Sequence, residues 1–351
     1  MRIRIITIHG IPNFGSVFQS YGLCEYLKQT GYEDVRVIDY NPDYYNRRGL
    51  KAFLGKLLNY KNYVVRKKKF RSFVEKNIPL TEMGFKTSEE LKNYDFDADV
   101  YVAGGDQLWN VFHRSGNDGA YRLAFAKGKK ISYATSMGQK DFPHDELMKL
   151  CEDIKDFSSV SVRERSSVGL LEKGGIRATH CVDPVFLLEK EDYEKFIKPV
   201  KQPKYLMVYL VTPSPLLEKT INYLKEKYNL KVILCGGFSK KCTCDEFLKD
   251  LGPDEILSYI KNAEIVLSSS FHATSFSIIF EKQFFTILPD EHTNERIEDL
   301  LNQFELSHRI ISDNSEFERA LNDVIDYNSV KPYSSFTGES KKYLREALAD
   351  D

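Results

Sequence analysis

Long apolar runs and an excess of charge of either sign are both missing from this sequence. The 351 residues carry 50 basic and 51 acidic side chains, for a formal net charge of -1, which gives no support to a nucleic-acid partner. No segment offers the roughly 20 apolar residues that a membrane-spanning helix needs, and the apolar run after Met1 is too short for a secretory signal. We therefore expect a cytoplasmic protein that does not bind nucleic acid.

Two other common patterns are also absent. The six cysteines lack the spacing of a disulfide framework or a four-ligand zinc site, and the close pair Cys242 and Cys244 is typical of an incidental surface pair. No G-x-G-x-x-G follows the first predicted strand, because HGIPNFG lacks the required glycine spacing. A dehydrogenase with a dinucleotide site is therefore disfavoured.

The first half of the chain alternates strand patterns with helix patterns. Residues 2–9 and 35–40 predict buried strands, and the segment 17–30 between them predicts a helix that ends at Gly31. Further short β-rich runs cover 97–105, 129–138, 159–164 and 179–184. This order is typical of a doubly wound α/β unit, whose ligands bind at the C-terminal ends of the strands.

A second α/β series follows a charged, proline-containing segment at 189–204. Its predicted strands cover 205–211, 231–237, 264–270 and 283–288. Because the chain is also longer than a single core usually grows, we predict an α/β fold with two Rossmann-like domains that face one another across a cleft.

The predicted domains have the following bounds. Residues 1–195 form the N-terminal domain, residues 203–330 the C-terminal domain, and 331–351 a helix that crosses back to the first domain. The N-terminal domain contains a helical insertion at about 45–76, whose basic stretch 47–71 is a candidate for contact with an anionic membrane surface. A solvent-exposed helix face is the alternative interpretation of that stretch.

Serines and a histidine stand where a predicted strand runs into an apolar helix. The strand 264–270 ends in Ser268, Ser269 and Ser270, and His272 opens the helix. The free backbone N–H groups and the positive dipole end of a helix favour phosphate or carboxylate. We therefore predict an anion site here; an ordinary helix cap beside a histidine bonded to a carbonyl group is the alternative.

Arg163 is a second candidate for binding an anion. It ends the predicted strand 159–164, immediately before a helix. A guanidinium can hold a carboxylate or phosphate through two parallel hydrogen bonds. We expect Arg163 to lie in the same cleft as His272; the alternative is a surface pairing of Arg163 with Glu164 or of Arg165 with Glu172.

Two polar loops at strand ends suit a sugar ligand. An aromatic plane flanked by amide and carboxylate groups can bind both the apolar face and the hydroxyls of a sugar ring. Core packing is the alternative for the sole tryptophan. The candidate residues of these loops are Asn13, Gly15, Ser16, Asp106, Gln107, Trp109 and Asn110.

Taken together, these motifs resemble the polysaccharide pyruvyl transferase family. The segments that carry the resemblance run in order over most of the chain: NFGSVFQSYGL, VIDYNP, DVYVAGGDQLWN, YATSMG, SVRERSSVGLLEKGG, VDPVFLL, SSSFHATSF and ERIEDLLNQFELSHR. The resemblance implies a GT-B-like arrangement of two Rossmann-like domains. It also implies transfer of a pyruvyl group from phosphoenolpyruvate, as co-substrate, to a hydroxyl pair of a sugar in a bacterial surface polysaccharide or its lipid-linked precursor. No metal and no further cofactor is implied.

The resemblance also suggests roles for individual residues. The family's arginine after the SV strand corresponds to Arg163, and its histidine at the start of the second-domain helix corresponds to His272. The family's arginine two residues before that histidine is replaced by Ser270. Arg296, Arg309 and the serine-lined helix N-terminus are the candidates that could supply the lost anion contact.

We predict His272 as the general acid, or as the group that stabilises the leaving phosphate, and Arg163 as the group that holds the donor anion. Asp106 is the candidate acceptor-side base, or the group that orients a sugar hydroxyl. Two other functions stay open: a nucleotide-sugar glycosyltransferase of the GT-B type, and a non-catalytic glycan-binding protein on the same scaffold.

Overall fold

The computed structural model describes residues 1–45, 59–210, 216–236, 242–288, 295–311 and 323–349. Contacts between residues divide the chain into two units. Unit 1 contains Met1–Arg48, Arg71–Leu188 and Ser334–Asp351, and unit 2 contains Gly49–Phe70 and Glu189–Tyr333. Part of the predicted insertion and of its basic stretch, residues 46–58, lies outside the described residues.

Unit 1 is built on a parallel five-stranded sheet. Its strands are β1 (Arg2–Ile6), β2 (Asp34–Tyr40), β3 (Leu80–Phe85), β4 (Val100–Ala103) and β5 (Lys129–Ser132). In space their order is β3-β2-β1-β4-β5, and all four pairings are parallel. The direction in which the chain adds strands therefore reverses between β1 and β4, which is where ligands bind in folds of this class.

Helices and a second, two-stranded parallel sheet complete unit 1. Helix α1 (Phe14–Gln29) joins β1 to β2, and β6 (Ser161–Val162) pairs in parallel with β7 (Thr179–His180). Among the residues that the structure describes, the other helices that begin before Leu188 are α2 (Tyr60–Asn77), α3 (Ser88–Lys92), α4 (His144–Ile154) and α5 (Arg165–Lys173). Helix α2 begins in the segment assigned to unit 2 and ends in unit 1.

Helix α1 begins three residues before the predicted Val17. The reason is its cap: Oδ1 of Asn13 accepts hydrogen bonds from the backbone N–H groups of Gly15 at 3.0 Å and Ser16 at 3.4 Å. The helix is buried on nearly all sides, and the ring of Phe18 packs against that of Phe73 on α2, with 5.2 Å between ring centroids.

Unit 2 is built on a parallel six-stranded sheet. Its strands are β8 (Tyr205–Tyr209), β9 (Lys231–Cys235), β10 (Glu246–Leu248), β11 (Ile265–Ser268), β12 (Gln283–Ile287) and β13 (Ile310–Ile311). Their spatial order is β10-β9-β8-β11-β12-β13, so the strand order reverses between β8 and β11. The helices in the described part of unit 2 are α6 (Lys190–Glu194), α7 (Leu217–Tyr228), α8 (Pro253–Asn262), α9 (Phe271–Ile279) and α10 (Glu295–Gln303).

The last helix, α11 (Gly338–Leu348), packs within unit 1. Oγ of Ser340 accepts a hydrogen bond from the backbone N–H of Val182 at 3.0 Å, and the hydroxyl of Tyr343 donates to the carbonyl oxygen of Ser132 at 2.8 Å. These two buried bonds attach the end of the chain to β5 and to the segment that follows β7.

Cys242 differs from its sequence-based expectation. It was expected in a surface pair with Cys244, but it is 5% exposed and belongs to the hydrophobic core of unit 2. A buried cysteine behaves as a small apolar side chain, so this position contributes to packing.

The loop after β4 passes close to the short 3-10 helix Pro184–Phe186. A Cβ atom at Gly105 would lie 2.7 Å from Cγ of Pro184 and 3.1 Å from Oε1 of Gln19. The first distance is well inside van der Waals contact with a rigid ring, so only glycine fits here without movement of one of the two segments.

Replacing Gly105 by alanine should therefore destabilise unit 1 by about 1–3 kcal/mol, the usual cost of overpacking a rigid site. The control is Gly169→Ala in α5, where a Cβ atom meets nothing within 4 Å and higher helix propensity should leave stability equal or raised by up to about 1 kcal/mol. Urea-unfolding midpoints measure both changes. Equal midpoints for the two variants would contradict this account of the loop.

Candidate functional site

Asp106 lies at the point where the strand order of unit 1 reverses. It follows β4 by three residues, and its Oδ2 accepts a hydrogen bond at 2.6 Å from the hydroxyl of Ser16, in the first turn of α1. Its Oδ1 accepts the backbone N–H of Gln107 at 2.7 Å. The two polar loops predicted from the sequence, one after β1 and one after β4, therefore meet at this carboxylate.

The backbone of Asp106 is in an unfavourable conformation, with φ at 94°. Such a conformation is rare for a residue with a side chain and persists only where its surroundings hold it. The carbonyl oxygen of Asp106 accepts hydrogen bonds from the backbone N–H groups of Leu108 at 2.8 Å and Ser136 at 2.9 Å. Backbone strain of this kind concentrates at functional sites. Together with the hydroxyl of Ser16 and the backbone N–H of Gln107, these hydrogen bonds hold the carboxylate of Asp106 in one direction.

A pocket of about 360 Å³ opens beside Asp106. We refer to it as the unit 1 pocket. Its lining includes three of the predicted acceptor residues, Asn13, Ser16 and Gln107. A volume of this size is within the range of small-ligand sites, roughly 300–1,000 Å³.

Two tyrosines that the sequence did not single out form part of the pocket wall. The rings of Tyr44 and Tyr45 lie 4.7 Å apart between centroids. The hydroxyl of Tyr44 donates to Asp118 at 2.8 Å, and that of Tyr45 donates to the hydroxyl of Tyr121 at 3.2 Å. Burial raises the pKa of Tyr45 to about 12, with a smaller opposing effect of the bond to Tyr121, so the phenol stays protonated at neutral pH.

Trp109 does not provide the aromatic platform that was predicted, because its side chain is fully buried. Its indole N–H donates to the carbonyl oxygen of Tyr121 at 3.2 Å, and its ring meets the edge of Phe157. Asn110, predicted beside it, is 2% exposed and donates to Oε1 of Gln107 at 2.7 Å. Both residues support the loop from inside, so the prediction that they contact a sugar is wrong in this structure.

Arg163 lies at the end of β6, as predicted, and is only 5% exposed. Its Nη1 donates to Oδ2 of Asp183 at 2.6 Å, and its Nε contacts Oε1 of Glu164 at 3.4 Å. The alternative of a surface pair with Glu164 is therefore corrected: the pair exists, but Glu164 is 1% exposed. An anion that binds Arg163 has to join or displace Asp183.

Carboxylates keep the buried Arg163 charged. Burial by itself would lower the pKa of the guanidinium, but Asp183, Glu164 and Asp106 together raise it above its ordinary value. Glu164 is held in turn by the hydroxyl of Ser136 at 2.5 Å and by the backbone N–H of Met137 at 3.2 Å. Of these partners of Arg163 the sequence suggested only Glu164; Asp183, which stands in the VDP motif, was not predicted.

In unit 2 the predicted serines lie at the end of β11 and directly after it, where the strand order reverses. Oγ of Ser270 accepts the backbone N–H of Ala273 at 3.5 Å and so caps α9, which matches the alternative of an ordinary cap. The hydroxyl of Ser268 donates to the carbonyl oxygen of Tyr209 at 2.8 Å, and the backbone N–H of Ser269 donates to the same carbonyl group at 3.3 Å. These bonds attach the start of α9 to the end of β8.

His272 is partly exposed in the first turn of α9, with its ring edge-to-face against Phe271 at 5.1 Å. It belongs to unit 2 and Arg163 to unit 1, and the convergence of the two side chains on one anion stays a prediction. Arg296 is partly buried in the first turn of α10, and its contact with a donor stays a prediction as well.

Arg309 is unsuited to the anion contact that was considered for it. Its side chain has no exposed surface, and it donates to the carbonyl oxygens of Phe284 at 2.9 Å and Asp323 at 2.7 Å. The guanidinium also lies 4.0 Å from the ring centroid of Phe285. Burial lowers its pKa to about 10, which leaves it protonated at neutral pH. Arg309 therefore stabilises the core of unit 2 and is removed from the candidates.

Comparison with protein families gives one match that spans most of the chain. A sequence model described as polysaccharide pyruvyl transferase matches residues 13–291. The matched range begins at the cap of α1 and includes every candidate site residue except Arg296. A sequence comparison with curated proteins finds no match.

Solved structures of similar fold include several UDP-GlcNAc 2-epimerases. The enzyme from Methanocaldococcus jannaschii has a TM-score of 0.58 and 14% identity, with 99% of this chain and 100% of that chain covered. The enzyme from Rickettsia bellii has a TM-score of 0.58 and 12% identity, covering 99% and 95%. That of Neisseria meningitidis, bound to UDP-GlcNAc, has a TM-score of 0.53 and 11% identity, covering 99% of both chains. This likeness confirms the predicted α/β fold with two Rossmann-like units, which is of the GT-B type.

The buried pair of Arg163 and Asp183 should contribute strongly to stability. Asp183→Asn removes the charge that faces Nη1 at 2.6 Å, so we expect a loss of about 3–5 kcal/mol, as is usual when one partner of a buried ion pair is removed. Glu152→Gln breaks the exposed pair with Lys155 and should cost under about 1 kcal/mol. Denaturant unfolding compares the two variants, and a similar small loss in both would refute the assigned role of Asp183.

Proposed function

Since the chain belongs to the polysaccharide pyruvyl transferase family, we propose that it transfers the pyruvyl group of phosphoenolpyruvate to two hydroxyls of a sugar in a bacterial surface polysaccharide or its precursor. The observation that carries the proposal is the position of the matched polar segments. In each unit they follow the strands at which the strand order reverses, β4 in unit 1 and β11 in unit 2.

The reaction needs a proton donor, a cationic group and a polar acceptor pocket. The methylene carbon of the donor accepts a proton, one sugar hydroxyl attacks the adjacent carbon, phosphate leaves, and a second hydroxyl closes the ketal. The two sugar hydroxyls lose two protons in total. One makes up for the proton added at the methylene carbon, which becomes a methyl group, and the other leaves with the phosphate. The protein therefore supplies charge stabilisation and proton transfer, and the scheme requires no redox step.

His272 is the proposed general acid, or the group that stabilises the departing phosphate. It is partly exposed and stands at the positive end of α9, beside Ser270, which caps this helix. Backbone N–H groups and the helix dipole favour an anion at this position. Ser269, Ser270 and Arg296 complete the proposed donor side.

Arg163 and Asp106 are proposed to act from unit 1. Arg163 binds the carboxylate or phosphate of the donor, which replaces Asp183 as its partner. In this structure Arg163 contacts Asp183 at 2.6 Å. Asp106 accepts a proton from a sugar hydroxyl or orients that hydroxyl, since its carboxylate already accepts the hydroxyl of Ser16 in the same way.

Two alternatives give different results in the same experiments. A nucleotide-sugar glycosyltransferase should be stabilised against heat by UDP and not by phosphoenolpyruvate. One structure of similar fold is an epimerase bound to UDP-GlcNAc, which motivates this comparison. A non-catalytic glycan-binding protein should bind glycan without releasing phosphate.

His272→Ala should lower phosphate release from phosphoenolpyruvate in the presence of glycan acceptor by at least about 100-fold, because general acid catalysis contributes roughly 100- to 10,000-fold. The matched control is His144→Ala, which changes an exposed histidine at the start of α4 and should keep full activity. Thermal unfolding verifies that both variants are folded. Unchanged turnover in His272→Ala would remove this residue from the mechanism.

The basic helix α2 is proposed to bring the protein to an anionic membrane, where a lipid-linked acceptor would be found. Lys61, Lys67 and Lys68 are exposed on this helix, whereas Lys69 is paired with Glu255 at 2.7 Å. Within the described residues, no helix is both long enough and apolar enough to span a membrane. What we propose is peripheral binding through the exposed lysines of α2.

Reversing the charge of Lys67 and Lys68 to glutamate should weaken co-sedimentation with phosphatidylglycerol vesicles at least tenfold, since each basic side chain near such a surface contributes about 1 kcal/mol. Lys149→Glu with Lys173→Glu makes the same change in net charge on α4 and α5 and should have little effect. Equal binding of both double variants would contradict a specific membrane surface on α2.

A further inference from the structure

The unit 1 pocket has features that narrow the class of its ligand from a polysaccharide to a smaller group. Its volume of about 360 Å³ is at the small end of ligand sites, which suits a single sugar unit rather than a long chain. One wall consists of Tyr44 and Tyr45. Tyrosine rings offer an apolar surface to the C–H face of a sugar while their hydroxyls stay bonded elsewhere.

The tyrosines are fixed in place by the protein itself. The hydroxyl of Tyr44 is bonded to Asp118, and that of Tyr45 to Tyr121. Neither ring therefore has to lose much freedom when a ligand binds, which is the condition for a rigid stacking surface. This pair takes the role that the sequence suggested for Trp109.

The pocket lining carries groups of opposite charge. Among the described residues that line the pocket, Asp106 is the only carboxylate and Arg114 the only guanidinium. Asp106 is 9% exposed and fixed by Ser16 and Gln107, whereas Arg114 is exposed. Within the described part of the chain, Arg114 makes no ion pair and no side-chain hydrogen bond.

These charges orient a ligand that carries a negative group. Asp106 repels an anion but accepts hydrogen bonds from neutral hydroxyls, whereas Arg114 attracts a carboxylate or phosphate through parallel N–H groups. These charges therefore favour the orientation of an anionic sugar that places its hydroxyl pair at Asp106 and its anion at Arg114.

We infer that the unit 1 pocket binds one sugar ring that carries an anionic group, with Tyr44 and Tyr45 against the ring and Arg114 on its carboxylate or phosphate. The inference rests on the proposed function and specifies the chemical class of its acceptor: either an acidic sugar residue or a sugar joined to the phosphate of a lipid carrier.

Binding without phosphoenolpyruvate tests the inference. Calorimetric titrations use three probes: methyl glucuronide for the carboxylate, glucose 1-phosphate for the phosphate, and methyl glucoside as the neutral sugar, each with its galacto counterpart. We expect at least one anionic probe to bind about tenfold or more tightly than its neutral counterpart, as a charged hydrogen bond allows. Preference for the carboxylate or the phosphate identifies which of the two acceptors is recognised.

Variants locate the interaction. Arg114→Gln should remove the preference for the anionic probe, and Arg177→Gln, which changes another exposed arginine of unit 1, should leave it unchanged. Tyr45→Leu should weaken binding of all probes, whereas Tyr45→Phe retains the ring and most of the affinity. Thermal unfolding confirms that each variant is folded.

Three results would overturn the inference: no binding of any probe at millimolar concentration, equal affinity for anionic and neutral sugars, or a preference that survives Arg114→Gln. A separate assay of phosphate release from phosphoenolpyruvate with a polysaccharide acceptor decides the proposed function. Release without anion-selective binding refutes only the acceptor class, and selective binding without release under any acceptor refutes pyruvyl transfer.

Discussion

The balance of charge around one buried guanidinium constrains the loops of the candidate site in unit 1. Arg163 lies among Asp183, Glu164 and Asp106, and its pKa is raised because these carboxylates outweigh the effect of burial. A buried ion pair is stable only where hydrogen bonds also satisfy its remaining atoms. Backbone N–H groups and serine hydroxyls do this for Glu164 and Asp183, so the loops that carry them cannot move independently.

The same network explains the close packing of the loop after β4. Asp183 caps the 3-10 helix Pro184–Phe186, and Pro184 approaches Gly105, the residue before Asp106. The unfavourable φ of Asp106 is held by the backbone N–H groups of Leu108 and Ser136, which bond its carbonyl oxygen, while the hydroxyl of Ser16 fixes its carboxylate. A carboxylate whose direction is fixed in this way is prepared for a ligand before the ligand arrives.

The sequence predicted the elements whose patterns are strong. The central strands of both sheets were recognisable because parallel strands buried on both faces consist of continuous apolar runs, as in β1 and β11. The edge strands β3 and β10 were missed because they are partly exposed and lack such runs. The start of α1 was placed three residues late because the cap at Asn13 depends on a side-chain geometry that a pattern does not show.

For the site, the sequence by itself determined which loops carry polar groups at the strand ends: Asn13 and Ser16 after β1, Asp106 and Gln107 after β4, and the serines with His272 after β11. Local order along the chain is sufficient for this, because a parallel sheet places all strand ends of one kind at one edge. Only the tertiary structure decided which of the candidate side chains are accessible and which further side chains line the pocket. Trp109 and Arg309 are buried and Tyr44 and Tyr45 line the pocket, since exposure depends on packing between segments that are distant in the chain.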